Sequence, residues 1–187
     1  MSVGQVSSLV QRKARSGRES YDARAMTLAR ALRLTLARTA ERRMALSVSV
    51  IGQTRSTVRG VDVAAALGDD LLLLLLEGGA GRVGLAALDA DLAMGLVQAQ
   101  TTGRIKPAEM NRPFTATDAA LCAPLVEDLL TNGAPLPDDA REGALLAGWR
   151  FGVRADGLRT ACLALDMPDY DVLTLSLDLA AGAGRGG

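Results

Sequence analysis

Histidine is absent from the 187 residues. That excludes His-based catalytic triads, His metal sites and His pH switches from this sequence. Aromatic residues make up 3 % of the chain, so a core must be assembled from Leu, Val, Ala and Met. The two cysteines, Cys122 and Cys162, are too few for a four-Cys zinc site or a disulfide framework. Both sit in apolar runs, which fits buried free thiols in a reducing compartment. Lysine is scarce: only Lys13 and Lys106 stand among 21 basic residues. Such an Arg and Ala bias is what GC-rich coding produces, so each Arg is not counted as a phosphate ligand. Long hydrophobic runs are missing as well. The most apolar one, Leu71–Leu76, lies between Asp69-Asp70 and Glu77, far short of the ~20 residues that span a bilayer. Met1–Ser8 is polar and lacks the apolar stretch of a signal peptide. The expected location is the cytoplasm, with no membrane span.

What is present fits one domain, or two small halves sharing a core. The apolar fraction of 49 % and charged fraction of 22 % are ordinary for a soluble globular protein. Zero net charge hides a segregation: residues 1–60 hold 12 Lys+Arg against Glu19, Asp22 and Glu41, and residues 61–187 are acidic to the same extent. The two parts attract each other, or the basic end faces an acidic partner.

Residues 1–19 read as a basic, mobile arm. From Ser20, a plausible N-cap, to Arg43 there is no Gly or Pro, and Tyr21, Ala25, Leu28, Leu32, Leu36 and Ala40 form a helical stripe. Met44–Val50 alternates as a strand. Gly60 and Gly68 bracket a short helix over Val61–Leu67. Leu71–Leu76, Gly78–Gly81 and Arg82–Leu88 read as strand, turn, strand. Asp89 caps a helix to about Gln100, and Gln100–Pro113 is a connecting loop. Thr115 and Asp118 resemble a capping box opening a helix to about Leu130, with Pro124 inside it and Asn132-Gly133 ending it. Pro135–Glu142 reads as a second loop. Strands follow around Leu145–Val153, Leu158–Met167 and Tyr170–Leu179.

Candidate chemistry is sparse. Gly79-Ala80-Gly81-Arg82-Val83-Gly84 matches G-x-G-x-x-G after a strand, but the confirming acidic residue about 20 positions on is missing. The same pattern recurs at 182–187, so a hairpin turn is the reading preferred. Asp69-Asp70, Glu127-Asp128 and Asp138-Asp139 are adjacent carboxylates that point apart and read as solvated surface. No Ser or Thr has a His or a placed Lys as base. The basic arm and Arg-rich helix lack interleaved aromatics and helix-turn-helix spacing, so no nucleic-acid partner is expected. No metal and no cofactor is expected.

The order of elements resembles the middle domain of the flagellar motor switch protein FliM, related to the CheC/CheX phosphatases. Three stretches carry this. Ala25–Arg43 with Met44–Val50 looks like the family's first helix and strand. Leu85–Ala99 is similar to its L-x-I-D-P-x-L-x-x-x-L-I-D motif, and Asn111–Leu121 to R-x-[LF]-T-x-I-E. The resemblance covers about residues 20 to 180. It implies an α/β (α+β) fold with CheC-like pseudo-twofold halves: a central, mostly antiparallel sheet with long helices packed on it. It implies one such domain over 20–187, after the arm 1–19. The leucine alternation of Leu173–Leu179, followed by a glycine turn, reads as a chain cut before its final strand, so that this strand either lies at a sheet edge or pairs with a neighbouring molecule. By the same resemblance the chain is a non-enzymatic structural and signalling subunit of the flagellar C-ring, peripheral at the basal body. Its partners would be a FliG-like rotor protein and neighbouring FliM/FliN subunits. A ring subunit of a type III secretion system is the alternative. The family's Gly-Gly-x-Gly rotor-contact loop falls on Thr102, Gly103, Arg104 and Ile105, where one glycine remains. Ile105 and Met110 then read as exposed apolar anchors. The family's acidic CheY-capturing peptide is not visible. A phosphatase of the CheC type needs Asn three residues after Glu, and no glutamate here has one.

Overall fold

The computed structural model of the chain describes residues 25–105, 112–130 and 137–180. The arm 1–19, Ser20, the loop tip Lys106–Asn111, the Asn132-Gly133 stop and the tail after Ala180 lie outside them.

Helix α1 runs Leu28–Met44. It opens later than the stripe from Ser20 predicts, because residues 26 and 27 are committed elsewhere. The Met26 N–H donates to the Asp138 carboxylate and the Asp138 N–H to the Met26 carbonyl, both at 2.8 Å. Thr27 is the N-cap, accepting from the Arg30 N–H at 3.3 Å. The helix ends at Ala45, left-handed with φ 51°, where two backbone N–H groups turn back to the carbonyls of Glu41 and Ala40.

Strand β1, Ser47–Arg59, is far longer than the Met44–Val50 alternation indicates. A 3₁₀ turn at Gly60–Asp62 and a short α2, Val63–Leu67, follow where the glycine-bracketed helix was expected. Strands β2 (Leu72–Glu77) and β3 (Val83–Leu88) form the anticipated hairpin over a tight turn at Gly79–Gly81. A strand, not a helix N-terminus, follows that turn, so the G-x-G-x-x-G match makes no phosphate cradle. Helix α3, Ala90–Thr102, is capped by Asp89 as expected. Helix α4 is Ala116–Leu130 and holds Pro124 inside it.

The C-terminal part departs most from the sequence reading. The expected loop 135–142 contains the start of helix α5, Ala140–Leu146, capped by Asp139. Strand β4 is Arg150–Arg154. The expected strand Leu158–Met167 is helix α6, Leu158–Ala164. Strand β5 is Asp169–Ala180.

Among the described residues every pairing is antiparallel, in two hydrogen-bonded pieces: a β1–β5 ribbon and a three-stranded β3-β2-β4 sheet. The order long helix, strand, short helix, strand occurs twice, as α1-β1-α2-β2 and as α4-(α5)-β4-α6-β5. The first strand of each half pairs with the second strand of the other half. This is the pseudo-twofold arrangement, and it also brings α1 against α4 and α2 against α6.

The continuous leucine run follows from burial on both faces of β2. Leu72, Leu74 and Leu76 point into the main core with Leu36, Leu96, Cys122 and Leu125. Leu73 and Leu75 join Ala155, Ala161 and Leu158 under α6. A third cluster, Leu28, Leu32 and Leu146, closes over Leu173 and Leu175 of the ribbon. Among the described residues no helix is long and apolar enough to cross a membrane.

Candidate partner-binding surface

The residues singled out by sequence, Thr102 to Ile105, lie together where α3 ends. Gly103 is the C-cap, at φ 68°, with its N–H on the Ala99 carbonyl at 3.1 Å. That left-handed turn is the conformation glycine adopts without strain. The Thr102 hydroxyl donates to the Gln98 carbonyl at 2.9 Å and accepts from the Arg104 N–H at 3.4 Å, fixing the turn. Arg104 is exposed and has no ion pair among the described residues. Ile105 departs from the expected exposed anchor: it is half-buried and packs on the main core. Met110 lies outside the described residues.

The turn rests on a rigid base. The Gln100 side-chain amide donates to the Leu121 carbonyl on α4, and the Cys122 thiol lies 3.7 Å from the Ala93 carbonyl. Burial pushes that thiol up to about 12, so it is an inert core group. Where the chain returns, Arg112 grips Asp118 with two bonds of 2.6 and 2.9 Å. The Asp118 carboxylate also accepts from the Thr115 N–H and hydroxyl, and the Asp118 N–H donates to the Thr115 hydroxyl oxygen. The capping box is thus present, reinforced by a guanidinium. Arg112 and the Thr115 donors hold the buried Asp118 carboxyl well below the usual carboxylate range, against its desolvation.

Of the three carboxylate pairs read as solvated surface, Glu127-Asp128 is a half-buried structural tie, and Asp138-Asp139 is exposed but bonded. Asp128 takes Arg42 at 2.8 Å and Arg43 at 3.0 Å, joining α4 to α1, and the Arg43 bond depresses its carboxyl. Its neighbour Glu127 turns the other way and accepts the Phe151 N–H of β4 at 2.9 Å. Asp139 caps α5 through the Arg141 and Glu142 N–H groups. Asp69, Asp70, Asp138 and Asp139 stand exposed, as read. Among the described residues no three Cys, Asp or Glu side chains gather as a metal site.

One surface escaped the sequence reading. An open apolar groove of about 670 Å³ runs between the Gly60–Asp62 turn with α2 and the α6 region, lined by Val61, Ala64, Cys162, Leu163 and Met167. Val61, Leu163 and Met167 are 84, 79 and 53 % exposed. Misreading α6 as a strand hid it, since a strand over 158–167 places Cys162 and Leu163 on opposite faces. Cys162 is accordingly half-buried at a surface and not a core thiol.

No family model and no curated protein matches the chain. Solved structures do. A chain of the crystal structure of the FliG-FliM complex from H. pylori superposes with a TM-score of 0.59 at 9 % identity, covering 85 % of each chain. The FliM middle domain (residues 51–229) from Vibrio alginolyticus matches with a TM-score of 0.48 at 16 % identity, covering 84 % of this chain and 88 % of that one. With its antiparallel strands, long packed helices and exchanged halves, the chain has a FliM-middle-domain-like fold.

Proposed function

We propose that the chain is a non-enzymatic structural and signalling subunit of a flagellar-type switch ring, peripheral at the cytoplasmic side of the basal body. In this reading the Thr102–Ile105 turn contacts a FliG-like rotor protein, and neighbouring FliM- or FliN-like subunits and a CheY-type signal act through packed surfaces. The observation that carries it is the fold shared with a chain of the FliG-FliM complex. The turn's position supports it: α3 runs through Gln100–Thr102, which the sequence reading gave to the loop, and its fixed C-terminal turn presents the exposed Arg104 in the basic connection from Gly103 to Thr115, longer than most connections. A CheC-type phosphatase reaction has no support in the residues, since no glutamate is followed at the third position by Asn.

Isothermal titration of the full chain with the FliG rotor protein tests the reading. Arg104→Glu is expected to weaken binding at least tenfold, about 1.4 kcal/mol, and to leave the melting temperature unchanged, because the side chain is exposed. Ile105 is unsuited to this test, because its change disturbs the core. Absence of binding by the parent chain overturns the reading; binding that is indifferent to Arg104→Glu removes the turn from the interface.

A further inference from the structure

The internal repeat exposes an asymmetry at the second strand of each half. In the first half, β2 is flanked on both sides, by β4 and by β3. In the second half, its counterpart β5 is flanked by β1 alone among the described residues. Burial follows the same division. Leu72, Leu74 and Leu76 of β2 are 0, 0 and 5 % exposed, whereas Leu173, Leu175, Leu177 and Leu179 of β5 are only half-buried, although they face the same clusters. The helix side of β5 is supplied: Leu173 and Leu175 lie under α1 and α5, and Leu179 reaches α3, where a Cβ on Gly95 would come 2.8 Å from its Cδ1. Among the described residues, what β2 has and β5 lacks is a strand on its second edge.

We infer that the free edge of β5 is a strand-binding site, taking an extended antiparallel segment of another polypeptide in the place that β3 takes on β2. The chemistry of that segment follows from the edge. Apolar residues at alternate positions complete the leucine face. A basic residue belongs at its N-terminal end: antiparallel pairing sets that end against the end of β5, as Val83 stands against Glu77. There Asp178 is exposed and has no ion pair among the described residues. The sequence Arg82-Val83-Gly84-Leu85-Ala86-Ala87-Leu88-Asp89 of β3 has both features.

The probe is a synthetic peptide of sequence RVGLAALD, with fluorescence anisotropy and amide hydrogen exchange read on the full chain. Alternate β5 amides, those not bonded to β1, should exchange fast in the free chain and slow at least tenfold on saturation with peptide. Adjacent positions in a strand direct their N–H groups to opposite edges, so of Leu175→Pro and Ser176→Pro one blocks the open edge and leaves the ribbon intact. That folded variant should lose peptide binding, and Asp178→Lys should weaken it. An unprotected β5 at saturating peptide overturns the inference. So does a free chain already dimeric by light scattering with the same amides protected, because a second copy then fills the edge.

Discussion

Asp118 shows how much one buried carboxylate carries. Its oxygens take two bonds from Arg112 and two donors from Thr115, and its own N–H goes back to the Thr115 hydroxyl oxygen. The start of α4 and the return of the preceding connection are therefore fixed by a single side chain. Asp118→Ala removes the cap and the guanidinium's partner together and should lower stability by about 2 kcal/mol at pH 7 in urea titration. The sign of the pH dependence follows from the depressed carboxyl. The contribution is complete above the unfolded value near 3.8 and is lost as pH falls through the lower folded value. The gap between parent and Asp118→Ala should thus stay constant from pH 7 to 5 and narrow below about 3.8. A gap that is the same at pH 7 and pH 2.5 would show that the ionised carboxylate is not what stabilises the site. This residue was legible in the sequence, since Thr115-x-x-Asp118 marks the cap; the role of Arg112 was not, because a bond six residues back has no periodic signature.

At the scale of elements, legibility tracked how far periodicity survived folding. The leucine alternation of β5 and the stripe of α1 are direct readouts of one-sided burial. β1 was cut short in the reading because Ile51 is extra in the ladder. Val48 and Val50 face Leu179 and Leu177, but beyond the bulge Gln53 and Arg55 face Leu175 and Leu173, so the inward set changes parity and becomes polar. Seven-residue α5 and α6 are too short for a 3.6-residue period to be told from an apolar run. The β2–β3 hairpin turn was legible from its glycines, but not the reason for two of them. Gly78 and Gly84 pack against the Trp149 ring, where a Cβ on either would come 2.8 Å from a ring carbon. Arg82 covers that ring at 4.9 Å from its centroid, and the indole N–H is held by the Leu145 carbonyl at 2.9 Å. Gly84→Ala must push the ring away, costing about 1–3 kcal/mol. Trp149 is the chain's one tryptophan, so its emission should shift to the red as it meets water. An unshifted spectrum with parental stability would refute this packing.

For the whole molecule, the exchange of strands between halves decides how it folds. β1 pairs with β5 more than a hundred residues later, from Ser47↔Ala180 to Arg59↔Asp169, and β2 with β4 at a shorter but still long separation, from Leu74↔Arg154 to Glu77↔Arg150. Neither half holds the partner of its own first strand. A first half alone keeps the β2–β3 hairpin but leaves β1 unpaired, and it opens the main core, where Leu36 and Leu72 meet Cys122 and Leu125 of the other half. A second half alone has no strand pairing at all among the described residues. The repeat is therefore one cooperative unit and not a pair of subdomains, and closing such distant pairings makes folding slow for the chain's size. Cutting between residues 108 and 109 tests this without touching a described element. Each fragment alone should show no cooperative thermal transition by circular dichroism. The equimolar mixture should regain one, with a midpoint that rises with concentration, because the halves then meet as two molecules. A sharp, concentration-independent transition in either isolated fragment would show that a half can close its own core, contrary to the strand exchange described here.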